Sequence, residues 1–112
     1  MKKEIKQNMF NGKGEIHFIH LLEDKQKNGM LRVYAQVTIP PMCSIGYHEH
    51  QGDSESYYIL SGEGIYQDND KKYIIKAGDH TFCKEGNGHG LENNGNDPLI
   101  MMALIIYNKQ KV

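Results

Sequence analysis

Stretches of basic residues interleaved with aromatics are missing from this sequence, and thirteen Lys and Arg nearly balance fourteen Asp and Glu. That absence excludes the electrostatic footprint of a nucleic-acid binder. No apolar run approaches the roughly 20 residues of a membrane-crossing helix. The opening Lys2, Lys3, Glu4 and Lys6 lead into polar residues rather than the apolar core of a signal peptide. The expectation is a cytoplasmic protein with neither a nucleic-acid nor a membrane partner. Cysteine is scarce: Cys43 and Cys83 are expected to stay reduced, as in a chain that is not exported. Helical periodicity, internal repeats and low-complexity tracts are missing too. With 112 residues and 38% hydrophobic content, the chain can build one core and is too short for two. A single domain over residues 1–112 is expected, with residues 1–14 as an N-terminal arm, an edge strand or a frayed end.

What is present reads as strands. Leu31, Val33, Ala35, Val37 and Ile39 alternate with Arg32, Tyr34, Gln36 and Thr38, the period-2 pattern of a strand with one apolar face. Pro40-Pro41 stops it, since neither residue can donate a ladder hydrogen bond. Glu15 to Leu22 reads as another strand, and Glu23 to Gly29 as a surface loop. Tyr57 to Leu60, Ile65 to Gln67, Lys72 to Lys76 and His80 to Lys84 are short apolar or mixed runs, separated by turns such as Asp68-Asn69-Asp70 and Ala77-Gly78-Asp79. Glu85 to Gly88 is a glycine-rich bend leading into His89. Leu99 to Tyr107 is apolar at nearly every position, so both faces should be buried, one in the core and one against a partner subunit. Turn signals recurring about every ten residues point to an all-β antiparallel sandwich or small barrel.

The chemistry concentrates in Gly46-Tyr47-His48-Glu49-His50-Gln51-Gly52-Asp53-Ser54-Glu55. On an extended strand His48 and His50 project to one side and Glu49 to the other. Gln51 to Ser54 reads as a turn, which lets Glu55 return across from the two histidines. Two imidazoles and a carboxylate form a usable ligand set for a divalent transition metal, with His89 as the candidate fourth ligand.

These residues resemble the two short motifs of the cupins. The first has glycine, five residues, His-x-His, three or four residues, Glu, six residues and glycine, and His48, His50, Glu55 and Gly62 fit it. The second has glycine, five residues, Pro-x-Gly, two residues, His, three residues and Asn, and Gly78, Gly86, His89 and Asn93 fit that. Met42 stands where the first glycine is expected and Lys84 where the proline is expected, departures that bear on local backbone shape. The resemblance covers roughly residues 40 to 93 and is to single-domain cupins, often compared with germin and oxalate decarboxylase. It implies a small antiparallel double-stranded β-helix, the jelly-roll barrel, with His48, His50, Glu55 and His89 holding one divalent ion. Mn, Fe, Co or Ni would keep two open positions beside these four ligands, and Zn would more often settle for four or five.

Other residues carry weaker expectations. Tyr57 and Ile59 share the parity of Glu55 and should point inward, Tyr57 as a core residue or as a hydroxyl offered to ligand. His17, His20 and His80 are expected in surface or satisfied-core roles, and Phe82 in the pocket wall. Cys83 is expected as a small buried residue and Asn93 as the fixer of a turn. Arg32 shares a strand face with Tyr34 and Gln36, expected to be solvated, with an inward Arg32 binding a carboxylate or phosphate group as the alternative. The functional expectation is a small metalloenzyme acting on a carboxylate or sugar-like metabolite by decarboxylation, dioxygenation or isomerisation. The alternatives are a non-catalytic ligand-binding or sensing module using the same ion, and an ion that only cross-links strands. A homodimer is expected from the apolar excess of Leu99 to Tyr107.

Overall fold

The computed structural model describes residues 1–111. Ten strands form two facing antiparallel sheets: β1 (Lys2–Gln7), β2 (Glu15–His20), β3 (Leu31–Ile39), β4 (Ser44–Glu49), β5 (Asp53–Ser61), β6 (Glu63–Asp68), β7 (Lys71–Lys76), β8 (His80–Cys83), β9 (Gly88–Glu92) and β10 (Leu99–Tyr107). The larger sheet runs β1-β2-β3-β10-β5-β8 and the smaller β4-β9-β6-β7. The alternation read in residues 31–39 puts Ala35, Val37 and Ile39 in the core. There they meet Met101 and Ala103 of β10, Ile59 of β5, and Ile45, Tyr66 and Leu91 from the smaller sheet. Each fully buried aliphatic or aromatic side chain contributes about 1.5–3 kcal/mol by leaving water.

Within residues 1–14, Lys2–Gln7 form β1 at the edge of the larger sheet, paired with β2 from Lys2 opposite His20 to Gln7 opposite Glu15. A short 3-10 turn, Met9–Asn11, follows and carries Phe10 toward the barrel mouth. Two sequence expectations change. Glu23 to Gly29 is not wholly loop, because α1 (Asp24–Lys27) forms one helical turn, its capping box made by Glu23 and Gln26. The strand expected from Tyr57 begins at Asp53, which leaves only Gln51 and Gly52 as the turn. β10 buries one face within the chain, through Leu99, Met101, Ala103 and Ile105, and leaves Ile100, Met102 and Leu104 partly exposed and Ile106 exposed.

Two β-bulges set the side chains that matter. Ile45 pairs with Leu91 and His48 with His89, so Gly46 and Tyr47 together oppose Gly90. That extra residue lets Ile45 and His48, three apart, both face inward. In β3, Val33 pairs with Ile105 and Leu31 with Ile106, which leaves Arg32 as the extra residue. Its side chain escapes strict alternation and reaches the cavity that Val33 also lines.

Candidate metal centre

His48 from β4 and His89 from β9 sit directly opposite each other in the ladder of the smaller sheet. His50 follows just past the end of β4, tied by its N–H to the Asn87 carbonyl (3.0 Å) and by its carbonyl to the Gly86 N–H (2.8 Å). Glu55 comes across from β5. One donor atom from each of the four lies within 4.8 Å of every other. Glu55 Oε1 is 3.0 Å from His89 Nε2, 3.1 Å from His50 Nε2 and 3.7 Å from His48 Nε2, and the His50 and His89 Nε2 atoms are 3.1 Å apart. Donors about 2.1 Å from a shared ion stand roughly 3.0–3.4 Å apart when adjacent. The cluster is therefore able to hold one divalent ion.

The opposite nitrogen of each ring has its own partner. His48 Nδ1 lies 2.9 Å from the Gly46 carbonyl, His50 Nδ1 2.7 Å from Asp53 Oδ1, and His89 Nδ1 2.8 Å from the Tyr66 hydroxyl. Donating Nδ1–H to these oxygens leaves each Nε2 lone pair free toward the centre.

The electrostatics follow from this packing. Burial opposes the Glu55 anion, but hydrogen bonds from His48, His50 and His89 outweigh it and hold the carboxyl well below the usual range. Burial pulls His50 down, yet Glu55 and Asp53 outweigh burial and leave it raised. For His89 burial wins over Glu55, and its pKa is lowered. Burial, with the Glu55 charge second, pushes the Tyr57 phenol well above its ordinary value. Tyr57 is fully buried and its ring stacks on His89 at 4.8 Å and 15°.

His48, His50 and Glu55 open on a cavity of about 160 Å³ walled by Val33, Val37, Met101 and Ala103, with Lys6, Phe10 and Arg32 also contributing, whereas His89 is fully buried. The Phe10 ring stacks on His48 at 4.0 Å and 13°.

The chain matches the cupin domain model over residues 35–107. It belongs to the cupin family. An oxalate-binding protein of Thermotoga maritima is 46% identical to this cupin over 99 residues, 88% of this chain and 82% of that protein. The crystal structure of a predicted oxalate decarboxylase, also from Thermotoga maritima, superposes with a TM-score of 0.91 at 43% identity, covering 96% of this chain and 93% of that one. An uncharacterized protein of Methanocaldococcus jannaschii is 32% identical over 83 residues, 74% of this chain and 66% of its own length.

The other sequence expectations sort by geometry. Tyr57 and Ile59 face inward, and Cys83 is buried with its thiol pushed up to about 11, first by burial. Asn93, fully buried, ties a turn: its Nδ2 donates to the carbonyls of Ile39 and Asp97, both at 2.8 Å, and its Oδ1 accepts from Gly95 N–H. His17 lies near Glu15, His20 bonds Glu4 at 2.8 Å, and His80 bonds Ser56 on the outer face, all three away from the cluster. Phe82 is not in the pocket wall. It is 55% exposed, because Thr81 and Cys83 take the inward positions of β8. Arg32 meets the inward alternative more than the solvated face of Tyr34 and Gln36: half exposed, it stands at the cavity mouth, where Nη2 meets Asp53 Oδ2 at 2.8 Å. Sequence reasoning missed Asp53, Tyr66 and Phe10. Asp53 stood three residues after His50 but read as part of a turn. For Tyr66 and Phe10, which come from separate elements, no local signal existed.

Proposed function

We propose that this cupin binds a small dicarboxylate of the oxalate type through one divalent ion held by His48, His50, Glu55 and His89. The observation that carries the reading is the convergence of four donors, three of which (His48, His50 and Glu55) line a cavity of about 160 Å³ whose remaining wall is largely apolar. Such a space admits few heavy atoms, and besides an ion it offers a polar ligand the cationic Lys6 and Arg32 that also line it. A divalent ion with Glu55 as its one anionic ligand leaves a net positive centre that attracts an anion. An ion of octahedral preference, Mn, Fe, Co or Ni, keeps two positions for a chelating ligand. The oxalate-binding relative supports the ligand class.

Catalysis is a second reading, favoured by Tyr57. Its phenol stays protonated beside Glu55 and lines the cavity. When bound, the ion would polarise the ligand's oxygens as a Lewis acid. In decarboxylation of oxalate the C–C bond breaks, carbon dioxide leaves, and the proton that Tyr57 supplies ends on the remaining carbon, giving formate. Against this reading, Glu55 is the one carboxylate lining the cavity among the described residues, and its place in the ligand set leaves no second carboxylate to act as acid or base beside Tyr57. Both cysteines are free thiols, which supports a cytosolic setting. The outer face of the larger sheet suits a second copy of the chain.

Calorimetry of the Mn-loaded protein with oxalate should give one ligand per chain, with the heat abolished by chelation and in His89→Ala. No binding by the loaded wild type overturns the proposal. Following 13C-oxalate by NMR in the same samples separates the two readings: formate accumulating with wild type and not with Tyr57→Phe makes it an enzyme, whereas unchanged oxalate leaves it a binder.

A further inference from the structure

We infer that Asp53 is a positioning residue for the metal centre, held in place by Arg32 and holding His50 so that its Nε2 faces the ion. This rests on the metal-centre reading above. His48 and His89 are fixed by two hydrogen-bonded strands, whereas His50 lies beyond the end of β4, on the connection into β5. It is the least strand-supported of the three imidazoles, and it alone has a carboxylate on its far nitrogen. His48 leans on a backbone carbonyl and His89 on a phenol. A carboxylate accepts the Nδ1 proton more strongly than either, fixes the ring's tautomer, and raises the electron-donating power of Nε2.

The carboxylate itself needs support. Asp53 is 4% exposed, and a buried anion with a free oxygen is costly. Its two oxygens are divided: Oδ1 lies 2.7 Å from His50 Nδ1 and Oδ2 lies 2.8 Å from Arg32 Nη2. Arg32 is the chain's one arginine, delivered to this spot by the bulge in β3. Its own side chain stays 51% exposed at the cavity mouth, so the pair keeps one partner in water while the other faces the ring. Arg32, Asp53 and His50 thus form a line of charge-assisted contacts running from solvent to the centre. Asp53 does not line the cavity and both its oxygens are engaged by Arg32 and His50, which makes its role orientation rather than catalysis.

The test uses the full chain, stripped of metal and titrated with Co(II), reading affinity by competition with a coloured chelator and geometry by the visible absorption of the bound ion. Asp53→Ala should lose about 10- to 100-fold in Co(II) affinity and change the absorption spectrum. Asp53→Asn, whose amide oxygen still accepts from His50 Nδ1–H, should recover most of that loss, a rescue that a merely structural role in the β4–β5 connection would not single out. Arg32→Met, altered at a half-exposed side chain, should show a smaller loss of the same kind. Melting of the stripped variants reports folding separately, and if Asp53→Ala does not fold, the Arg32→Met titration decides: a weakened affinity supports the inference and wild-type affinity overturns it. Unchanged affinity and spectrum in a folded Asp53→Ala also overturn it, as does an Asp53→Asn that binds no better than Asp53→Ala. A wild type that takes up no Co(II) overturns the metal-centre reading itself, and this inference with it.

Discussion

Glu55 is where three imidazoles converge, and its ionisation ties the candidate metal site to acid stability. In protein stripped of any ion, the hydrogen bonds from His48, His50 and His89 hold its pKa below the unfolded value near 4.5. A carboxyl lowered on folding contributes stability that is complete above about pH 4.5 and is lost as pH falls through its folded value. The two shifted histidines act in opposite senses at higher pH. His50, raised on folding, contributes below about 6.5 and loses that contribution as pH rises, whereas His89, lowered on folding, costs stability as pH falls below about 6.5. Between pH 5 and 3 the Glu55 contribution governs the difference between wild type and Glu55→Gln. The melting temperature of chelated wild type should therefore fall more steeply across that range than that of Glu55→Gln, and parallel slopes by differential scanning calorimetry would refute the linkage. The four clustered residues were legible in the sequence because two short spacings, His-x-His with Glu five residues on and a later His, survive translation into strands. Asp53 was not, since a polar residue beside glycine reads as turn chemistry until the strand is seen to begin there.

At the scale of elements, alternation located the strands and failed where a bulge interrupts it. Strict parity groups Ile45 with Tyr47 and Glu49, but the bulge at Gly46-Tyr47 places Ile45 on the side of His48 and His50. β9 was visible only as the approach to His89, because Gly88-His89-Gly90 has the composition of a turn. The reason for the glycines is Tyr47 of the neighbouring strand: a Cβ on Gly88 would collide with its ring and hydroxyl, and one on Gly90 would press on its backbone nitrogen. The turn before β4 shows the converse case, in which sequence flagged a residue that the backbone does not favour. Pro40 to Cys43 is closed by Cys43 N–H donating to the Pro40 carbonyl at 3.1 Å, with Met42 in third position at φ +67°. That is the position where a turn of this kind wants glycine. The motif glycines Gly62, Gly78 and Gly86 all have positive φ as well, so the position held by Met42 follows their backbone with a side chain attached. Left-handed φ costs an L-residue about 1–2 kcal/mol, and glycine's extra unfolded-state freedom returns roughly 0.5–1 kcal/mol of any gain. Met42 is 68% exposed and has little packing to lose. Met42→Gly should therefore stabilise the fold by about 0.5–1 kcal/mol in urea unfolding, and a destabilised variant would show that the Met42 side chain holds the turn.

For the whole molecule, the two sheets bury one another's inner faces, and the outer face of the larger sheet presents Tyr34, Tyr58 and Phe82 to water. Its rows follow from register: Gln36, Met102, Tyr58 and His80 lie across β3, β10, β5 and β8, and Tyr34, Leu104, Ser56 and Phe82 form the next row. Tyr58 is 47% exposed and Phe82 more so, while Met102 and Leu104 are partly covered by these neighbours. This is the sheet of β10, whose apolar composition at nearly every position prompted the expectation of a partner. The chain accounts for one of its faces internally and leaves the other on the surface. A second copy laid on this face would cover the same rows on both subunits, the self-complementary arrangement a two-fold dimer requires. Because the metal cluster opens toward the inner cavity rather than the outer face, the dimer and the site should be separable. Light scattering at micromolar concentration should give twice the mass of one chain, and Leu104→Glu, which places a charge in the middle of the buried patch, should give a single chain with its Co(II) affinity intact. A monomeric wild type would show that the outer face is tolerated in water, and a Leu104→Glu protein that stays dimeric would place the interface elsewhere, at the exposed edge of β1 or β8.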